Sequence, residues 1–232
     1  MSAQRTESVS TPDGKFDMKV WLPESGRGPG VLILQEIFGV GEYIEAVAAD
    51  LTALGYVAAA PDLFWRISPG WTSEHTEEGM REAVSVRGQF DVDQGVTDSV
   101  TALRHFEGLP EIDGGVAVLG FCLGGTLAFK LAAQAQPTAV VSFYGAEVPH
   151  SLGLLDKIKS PLQLHFGGQD PYIPADSVSK VADAVEGHDN IELHIQTDAG
   201  HAFHNRVAPM FYQPEPAARA WQLAEEFLAR HL

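Results

Sequence analysis

Short apolar runs recur along the chain and alternate with longer amphipathic stretches. The central runs are almost continuously apolar, which is typical of strands covered on both faces. The amphipathic stretches have apolar residues at three- and four-residue spacing and end near Gly or Pro, as helices do. The predicted strands are Val31–Leu34, Tyr56–Ala60, Val116–Leu119, Ala139–Phe143, Leu162–Phe166 and Ile191–Ile195, and the predicted helices are 42–54, 92–107, 123–135, 175–186 and 215–230.

This alternation of strand and helix predicts an α/β fold with a mostly parallel, doubly wound sheet and helices on both faces. Within the first 23 residues, Lys15–Leu22 alternates apolar and polar positions, which indicates an antiparallel edge. Residues 62–91 are the least regular and are rich in Trp, Ser, Gly and charge, so we interpret them as a short cap over the sheet. No linker or repeat interrupts the chain, and we expect one domain over residues 1–232.

The charge of the chain restricts its partners. Its 31 acidic and 15 basic residues give a net charge of −16, which disfavours nucleic acids and anionic membrane surfaces. The segment Met1–Ser8 lacks the apolar core of a signal peptide, and no later stretch is long and apolar enough to span a bilayer, so we expect a cytoplasmic protein. The one cysteine, Cys122, is either a small buried residue or a reactive thiol.

The surroundings of Cys122 favour the reactive thiol. The predicted strand Val116–Leu119 runs into Gly120-Phe121-Cys122-Leu123-Gly124-Gly125 and then into an apolar helix start. A strand, a sharp glycine-bounded turn and a helix form the context of a nucleophile elbow. The helix amino terminus stabilises a thiolate, and the amide of Leu123 is placed to donate to an oxyanion.

The acid and the base should follow later strands, in the chain order nucleophile, acid, base. Asp170 follows the strand that ends at Phe166, and His201 follows the strand that ends at Ile195. We expect His201 to exchange protons with the thiol and Asp170 to orient the imidazole. Asp170 has an alternative interpretation as a turn carboxylate that caps the next helix. His204 lacks a nearby third ligand, so a metal site is not expected.

A carboxylate follows the first long strand at the edge where the elbow emerges. Glu36 is expected there to hydrogen-bond the thiol and keep it neutral until substrate displaces the carboxylate, although a solvated loop glutamate is equally compatible with the sequence. The amide of Ile37 would then be the second oxyanion donor.

Several motifs together resemble the dienelactone hydrolases, also called carboxymethylenebutenolidases, over nearly the whole chain. The resemblance implies an α/β-hydrolase fold, no cofactor, and hydrolysis of an activated cyclic enol ester by Cys122, Asp170 and His201, with Glu36 as partner of the thiol. The motifs are Gln35–Val40, Pro61–Leu63, Gly120–Gly125, Phe143–Gly145, Gly167–Asp170 and Ala199–Phe203.

The same resemblance suggests a substrate site. It implies that Arg81 and Arg206 grip a substrate carboxylate, a task for which the planar guanidinium is suited, and that Tyr144 contacts substrate. Residues 82–90 lack the tyrosine and tryptophan that family members carry after the first arginine. A broader carboxylesterase on the same triad therefore remains an alternative.

The choice of sulfur limits the reaction. A thiolate is also a good leaving group, so enol esters and lactones suit it and amides do not. We therefore expect a small ester or lactone as substrate, with the protein acting as a monomer or a homodimer. Two other interpretations compete with a hydrolase. A catalytically silent binding module would not require Cys122, Asp170, His201 and Glu36 together. A redox thiol would usually need another cysteine.

Overall fold

A computed structural model describes residues 4–232. Residues 1–3, which belong to the predicted antiparallel edge and to the segment searched for a signal peptide, lie outside the described residues. The strands are β1 Gln4–Thr11, β2 Gly14–Trp21, β3 Gly28–Leu34, β4 Val57–Pro61, β5 Ile112–Phe121, β6 Ala139–Phe143, β7 Leu162–Gly167 and β8 Ile191–Gln196. The α-helices are α1 Glu42–Ala53, α2 Glu77–Arg87, α3 Val92–Glu107, α4 Leu123–Ala132, α5 Ala175–Val185 and α6 Pro214–His231.

The strands form one sheet in the order β1-β2-β4-β3-β5-β6-β7-β8. Strands β4, β3, β5, β6, β7 and β8 pair in parallel, whereas β2 is antiparallel to both β1 and β4. This topology confirms the predicted α/β class, the mostly parallel sheet and the antiparallel edge. All six predicted strands and five predicted helices are present, and their ends differ by a few residues.

The sheet is covered on both faces. Val31, Leu32, Ile33 and Leu34 of β3 are each 0% exposed, and successive strand residues point to opposite faces. Helices α3 and α4 pack on each other and on β5, while α6 packs on β6, β7 and β8. The central strands are apolar throughout because neither of their faces meets water.

The cap at residues 62–91 is more regular than its sequence suggests. It contains α2, whose start at Thr76 is capped when the threonine hydroxyl accepts a hydrogen bond from the Gly79 amide (3.1 Å). Before α2, the cap backbone meets the loop after β3 in an isolated antiparallel bridge between Gly39 and Thr72. The cap therefore docks directly on the segment that carries Glu36 and Ile37.

Within residues 4–232, none of the helices has the length and apolar content needed to cross a bilayer.

Candidate active site

Cys122 occupies the tight turn between β5 and α4. Its φ of 54° and ψ of −111° are rarely adopted by a residue with a side chain. A Cβ at Gly120 would lie 2.0 Å from the Gly124 carbonyl oxygen, and a Cβ at Gly124 would lie 2.0 Å from the Leu34 oxygen. These glycines are required because the elbow packs backbone against backbone, as the sequence motif predicts.

The three loops that carry Cys122, His201 and Asp170 converge. The Nε2 atom of His201 lies 3.2 Å from Cys122 Sγ, and His201 Nδ1 lies 2.6 Å from Asp170 Oδ2. The loops meet because β5, β7 and β8 are parallel strands of one sheet, whose carboxyl ends share an edge. The geometry is that of a hydrogen-bonded chain from sulfur through imidazole to carboxylate.

Asp170 holds its own loop as well as the imidazole. Its Oδ1 atom accepts hydrogen bonds from the amides of Tyr172 (2.8 Å) and Ile173 (3.2 Å), while Oδ2 faces His201. The alternative interpretation of Asp170 as the cap of the next helix is wrong, because α5 starts after Pro174 with no side-chain cap and Oδ1 binds turn amides instead. Because the backbone bonds fix the carboxylate, Asp170 presents Oδ2 to the imidazole in one orientation.

The surroundings of His201 favour its protonated form. Burial alone lowers the pKa of His201, but the charge of Cys122 and the hydrogen bond and charge of Asp170 together raise it to about 10. At neutral pH the imidazole therefore carries a proton. It faces the sulfur of Cys122 as a proton donor at 3.2 Å.

The two predicted oxyanion donors have backbone amides that are free to donate. Leu123 is the first residue of α4, and Ile37 lies in the loop after β3; neither amide donates to a protein acceptor within the described residues. Ile37 also lines the cavity that contains Cys122. This availability is what an oxyanion site requires.

The expected hydrogen bond between Glu36 and the thiol is not formed. Glu36 is 2% exposed, and its carboxylate accepts hydrogen bonds from His75 Nε2 (2.7 Å) and from Asn205 Nδ2 (3.1 Å to each oxygen). The expectation needs correction because two donors from other segments already occupy the carboxylate. The interpretation of Glu36 as a solvated loop residue is wrong as well, since the side chain is buried.

A small and mostly apolar cavity opens over Cys122. Its volume is about 200 Å³. Side chains from the loop after β3, from α2 and from the loops around Asp170 and His201 line it: Glu36, Ile37, Phe38, Met80, Val84, Cys122, Ala146, Tyr172, His201, Ala202 and Phe211. Glu36, Cys122, Tyr172 and His201 are the ionisable groups among them, and no arginine or lysine is included.

The residues predicted to contact substrate lie elsewhere. Arg81 is exposed on α2 and does not line the cavity, whereas its helix neighbours Met80 and Val84 do. Arg206 is engaged by Asp50 (2.5 Å) and by the Ala46 carbonyl (3.0 Å). These placements correct the expectation of a carboxylate clamp, because α2 turns Arg81 outward and α1 binds Arg206.

Tyr144 does not lie at the cavity, where the resemblance implied that it contacts substrate. The side chain is 0% exposed and does not line the cavity. Its hydroxyl lies 3.3 Å from the hydroxyl of Tyr43, and its ring packs 5.3 Å from that of His201. Tyr144 therefore packs against His201 inside the protein rather than in the cavity.

His204 belongs to the core. It is 5% exposed, its Nδ1 lies 2.7 Å from the Tyr43 hydroxyl, and its ring stacks on Phe121. Burial lowers the pKa of His204 to about 3, so the ring is neutral. Among residues 4–232, no group of three or more His, Cys, Asp or Glu side chains is arranged to hold a metal ion.

Sequence reasoning missed His75 and Asn205, the two partners of Glu36. Neither stands in a recognisable motif, and one histidine among nine has no distinguishing spacing. Met80 and Val84 could have been found, because two apolar residues four apart in an otherwise charged stretch indicate one face of a helix.

Comparison with known proteins identifies the family of the chain. The model of the Dienelactone hydrolase family matches residues 16–232. A carboxymethylenebutenolidase of Pseudomonas sp. (strain P51) is 35% identical over 218 residues, which cover 94% of this chain and 91% of that protein. One from Pseudomonas putida is 34% identical over 224 residues, which cover 96% and 94%.

Solved structures show the same fold. A dienelactone hydrolase from Anabaena variabilis aligns with a TM-score of 0.73 at 22% identity, covering 100% of this chain and 99% of that one. Matches in sequence and in fold both extend over nearly the whole chain, and the cysteine elbow lies within the matched residues. The chain therefore belongs to the dienelactone hydrolase family and is a carboxylic ester hydrolase.

Proposed function

We propose that this hydrolase cleaves uncharged esters and lactones through a thioester on Cys122. The supporting observation is the hydrogen-bonded chain in which Cys122 Sγ lies 3.2 Å from His201 Nε2 and His201 Nδ1 lies 2.6 Å from Asp170 Oδ2. A catalytically silent binding protein would have no need for this alignment, and a redox thiol would have no need for the carboxylate.

In the first half of the reaction the Cys122 thiolate attacks the carbonyl carbon. The carbonyl oxygen becomes an oxyanion, which the amides of Ile37 and Leu123 stabilise. As the intermediate collapses, the carbon–oxygen bond to the alcohol breaks, and His201 Nε2 gives its proton to the departing oxygen. The products of this step are a thioester, a free alcohol or enol, and a neutral imidazole.

In the second half water replaces the alcohol. The neutral imidazole of His201 takes a proton from the attacking water, and the same two amides hold the second oxyanion. Collapse of that intermediate breaks the carbon–sulfur bond and regenerates the thiolate beside the imidazolium, with release of the carboxylic acid. Asp170 keeps the imidazole oriented throughout.

Rapid mixing with p-nitrophenyl acetate tests this function. We expect a burst of p-nitrophenol equal to the enzyme concentration, and one acetyl group on Cys122 in a sample quenched with acid and analysed by mass spectrometry. Cys122→Ala should abolish both the burst and the adduct. Turnover by Cys122→Ala at the wild-type rate would contradict the proposal.

The cavity supports the restriction to uncharged substrates. Its lining is apolar apart from Glu36, Cys122, Tyr172 and His201, and Arg81 and Arg206 both lie outside it. A substrate carboxylate would be buried there without an arginine or lysine to pair with, which is unfavourable. An apolar acyl or alkoxy group would instead replace water against Phe38, Met80 and Phe211.

A matched pair of aryl esters separates the two substrate classes. Mono-p-nitrophenyl fumarate carries a carboxylate that is trans and cannot attack its own ester, and p-nitrophenyl trans-4-methyl-2-pentenoate has an isopropyl group of similar shape. We divide kcat/KM for each ester by the rate constant of its alkaline hydrolysis, which corrects for intrinsic reactivity. We expect the corrected value for the neutral ester to be at least about tenfold higher than that for the fumarate monoester.

Arg81→Ala provides the control for that comparison. We expect this substitution to leave the preference for the neutral ester unchanged, since the arginine is exposed and lies outside the cavity. Preference for the fumarate monoester in the wild type, and its loss in Arg81→Ala, would restore the carboxylate-binding interpretation.

A further inference from the structure

Glu36 joins three segments that are distant in sequence. It follows β3, whereas His75 precedes α2 in the cap and Asn205 lies four residues after His201. Exposure is 2% for Glu36, 0% for Asn205, and 6% for the His75 side chain. Asn205 Nδ2 lies 2.9 Å from His75 Nε2, so the two nitrogens converge on one carboxylate.

The buried Glu36 carboxylate needs several hydrogen-bond donors to replace the water that it loses. Removing a charge from water costs several kcal/mol unless hydrogen bonds or an opposite charge compensate it. Asn205 supplies hydrogen bonds but no charge, whereas His75 can supply a proton to the 2.7 Å contact with Oε1. His75 is therefore the donor by which the cap helps to compensate this carboxylate.

The charge of Glu36 matters because the carboxylate and Cys122 line the same cavity. An uncompensated carboxylate near the sulfur disfavours the thiolate, and a neutralised one does not. Tyr43 and Tyr144 experience the same field: burial raises the pKa of each, and the charge of Glu36 raises it further. His201, Asp170 and Tyr172 are the other ionisable groups close to the sulfur or its cavity.

The cap brings His75 into place by a set of contacts that form together. The Gly39–Thr72 bridge and the hydrogen bond from the Ser73 amide to the Phe38 oxygen (3.1 Å) join the cap to the loop after β3. The His75 ring then lies 4.2 Å from the Phe38 ring, measured between centroids. Ile37, whose amide is the proposed oxyanion donor, lies between the anchored residues Glu36 and Phe38.

We propose that His75 is a positioning residue that couples docking of the cap to the reactivity of Cys122. The docked cap commits Glu36 to His75 and Asn205, away from the sulfur, and compensates its charge, so that the thiolate forms beside His201. When the cap lifts, Glu36 loses its proton donor and its charge suppresses the thiolate. This inference rests on the proposed use of Cys122 as nucleophile.

Alkylation by iodoacetamide tests the coupling without any substrate. Cys122 is the one cysteine of the chain, so the adduct needs no mapping. For His75→Ala we expect alkylation at neutral pH to slow by about tenfold and the pH midpoint of the reaction to rise by about one unit, the effect of one uncompensated charge nearby. The exposed residue His150 provides the control His150→Ala, which should react like the wild type.

The double variant Glu36→Gln/His75→Ala separates charge from structure. This variant lacks the same imidazole as His75→Ala and leaves the same access for the reagent, but it also lacks the carboxylate charge. We therefore expect alkylation to return to within about threefold of the wild-type rate. His75→Gln, which keeps a donor without a charge, should be intermediate.

Two outcomes would overturn the coupling. One is alkylation of His75→Ala at the wild-type rate and pH midpoint; the other is a double variant as slow as His75→Ala. Either result could occur while the p-nitrophenyl acetate burst remains intact, so failure of this inference is distinguishable from failure of the proposed function.

Discussion

Three residues with side chains adopt positive φ within the described part of the chain, and all three lie next to His201. They are Cys122 (54°), Tyr144 (40°) and Ala202 (53°). Each such conformation costs on the order of 1–3 kcal/mol and persists only where the surrounding structure holds it. The cost is offset by the buried sheet and helices on either side, and its result is a sulfur and an imidazole held in contact.

The ionisation of His201 gives a prediction at this scale. Its pKa is raised to about 10, so the imidazolium that protonates the leaving group is present at neutral pH and is lost as the pH rises through that value. We expect kcat/KM for p-nitrophenyl acetate to fall on the alkaline side with an apparent pKa near 10. A profile that already falls below about pH 8 would contradict this.

Asp170→Asn tests the source of that shift. The substitution removes a charge and a hydrogen bond that raise the pKa of His201, so the alkaline limb should move to lower pH and kcat should fall on the order of 10²–10⁴-fold. Asp198→Asn is the control, because Asp198 lies three residues before His201 but pairs with Arg219 at the surface. If the alkaline limb of the pH profile were unchanged in Asp170→Asn, the proposed role of Asp170 in the mechanism would be wrong.

At the scale of elements, the fit between the cap and the loop after β3 depends on Gly39. Its φ is 79°, and a Cβ there would lie 2.3 Å from the Trp71 carbonyl oxygen. The cap backbone can approach this closely because glycine has no side chain. The contact fixes the loop that carries both Glu36 and Ile37.

Gly39→Ala should therefore impair catalysis more than stability. We expect kcat/KM to fall at least about tenfold because the cap must shift and the Ile37 amide moves with its loop. Gly26→Ala is a matched control, since Gly26 has a φ of 73° but nothing within 4 Å of an added Cβ. It should show only the backbone strain, about 1 kcal/mol by urea unfolding, with normal kcat/KM. Equal activities of the two variants would contradict the role of cap docking.

A buried carboxylate on α3 anchors the other end of the cap. Asp98 is 2% exposed and accepts hydrogen bonds from Trp65 Nε1 (2.9 Å) and Arg66 (3.0 Å), both at the start of the cap. Asp98→Ala leaves Trp65 Nε1 without this acceptor and leaves Arg66 paired with Asp13 alone, so we expect the free energy of unfolding to fall by about 1–3 kcal/mol.

Asp93→Ala is the control on the same helix. The Asp93 side chain is 92% exposed and lies 3.6 Å from Lys130, so its loss should change the free energy of unfolding by less than about 1 kcal/mol. Urea denaturation of both variants measures the difference. Similar stabilities would show that Asp98 does not anchor the cap.

At the scale of the whole molecule, the net charge of −16 acts on any charged substrate before it reaches the cavity. Such a field repels anions over roughly one Debye length and is weakened by salt. Since no arginine or lysine lines the cavity, neither of these side chains offsets the overall field at the site.

Salt should therefore affect the anionic fumarate monoester and its neutral isopropyl analogue differently. Between about 0.01 and 0.5 M NaCl, kcat/KM for mono-p-nitrophenyl fumarate should rise severalfold as the repulsion is screened, whereas that for the neutral isopropyl analogue should stay nearly constant. A fall for the anionic ester would indicate attraction by a cationic site and would contradict the proposed substrate class.

Sequence patterns predicted the sheet, five of the helices and the three residues of the hydrogen-bonded chain. They could do so because burial on both faces produces continuous apolar strands, and because functional groups of this fold follow strand ends within a few residues. Helix α2 was missed since its exposed surface leaves a weak apolar stripe, in which just Gly79 and Ala83 are buried.

Side-chain partners between distant segments depended on the tertiary structure. Glu36 pairs with His75 and Asn205 rather than with the thiol, Arg206 pairs with Asp50, and Arg81 points to solvent. Local periodicity determines which residues lie in a strand or a helix, because backbone geometry repeats along the chain. The contacts of a loop side chain are determined by how cap, helix and sheet pack in space, and no repeating pattern along this sequence encodes that packing.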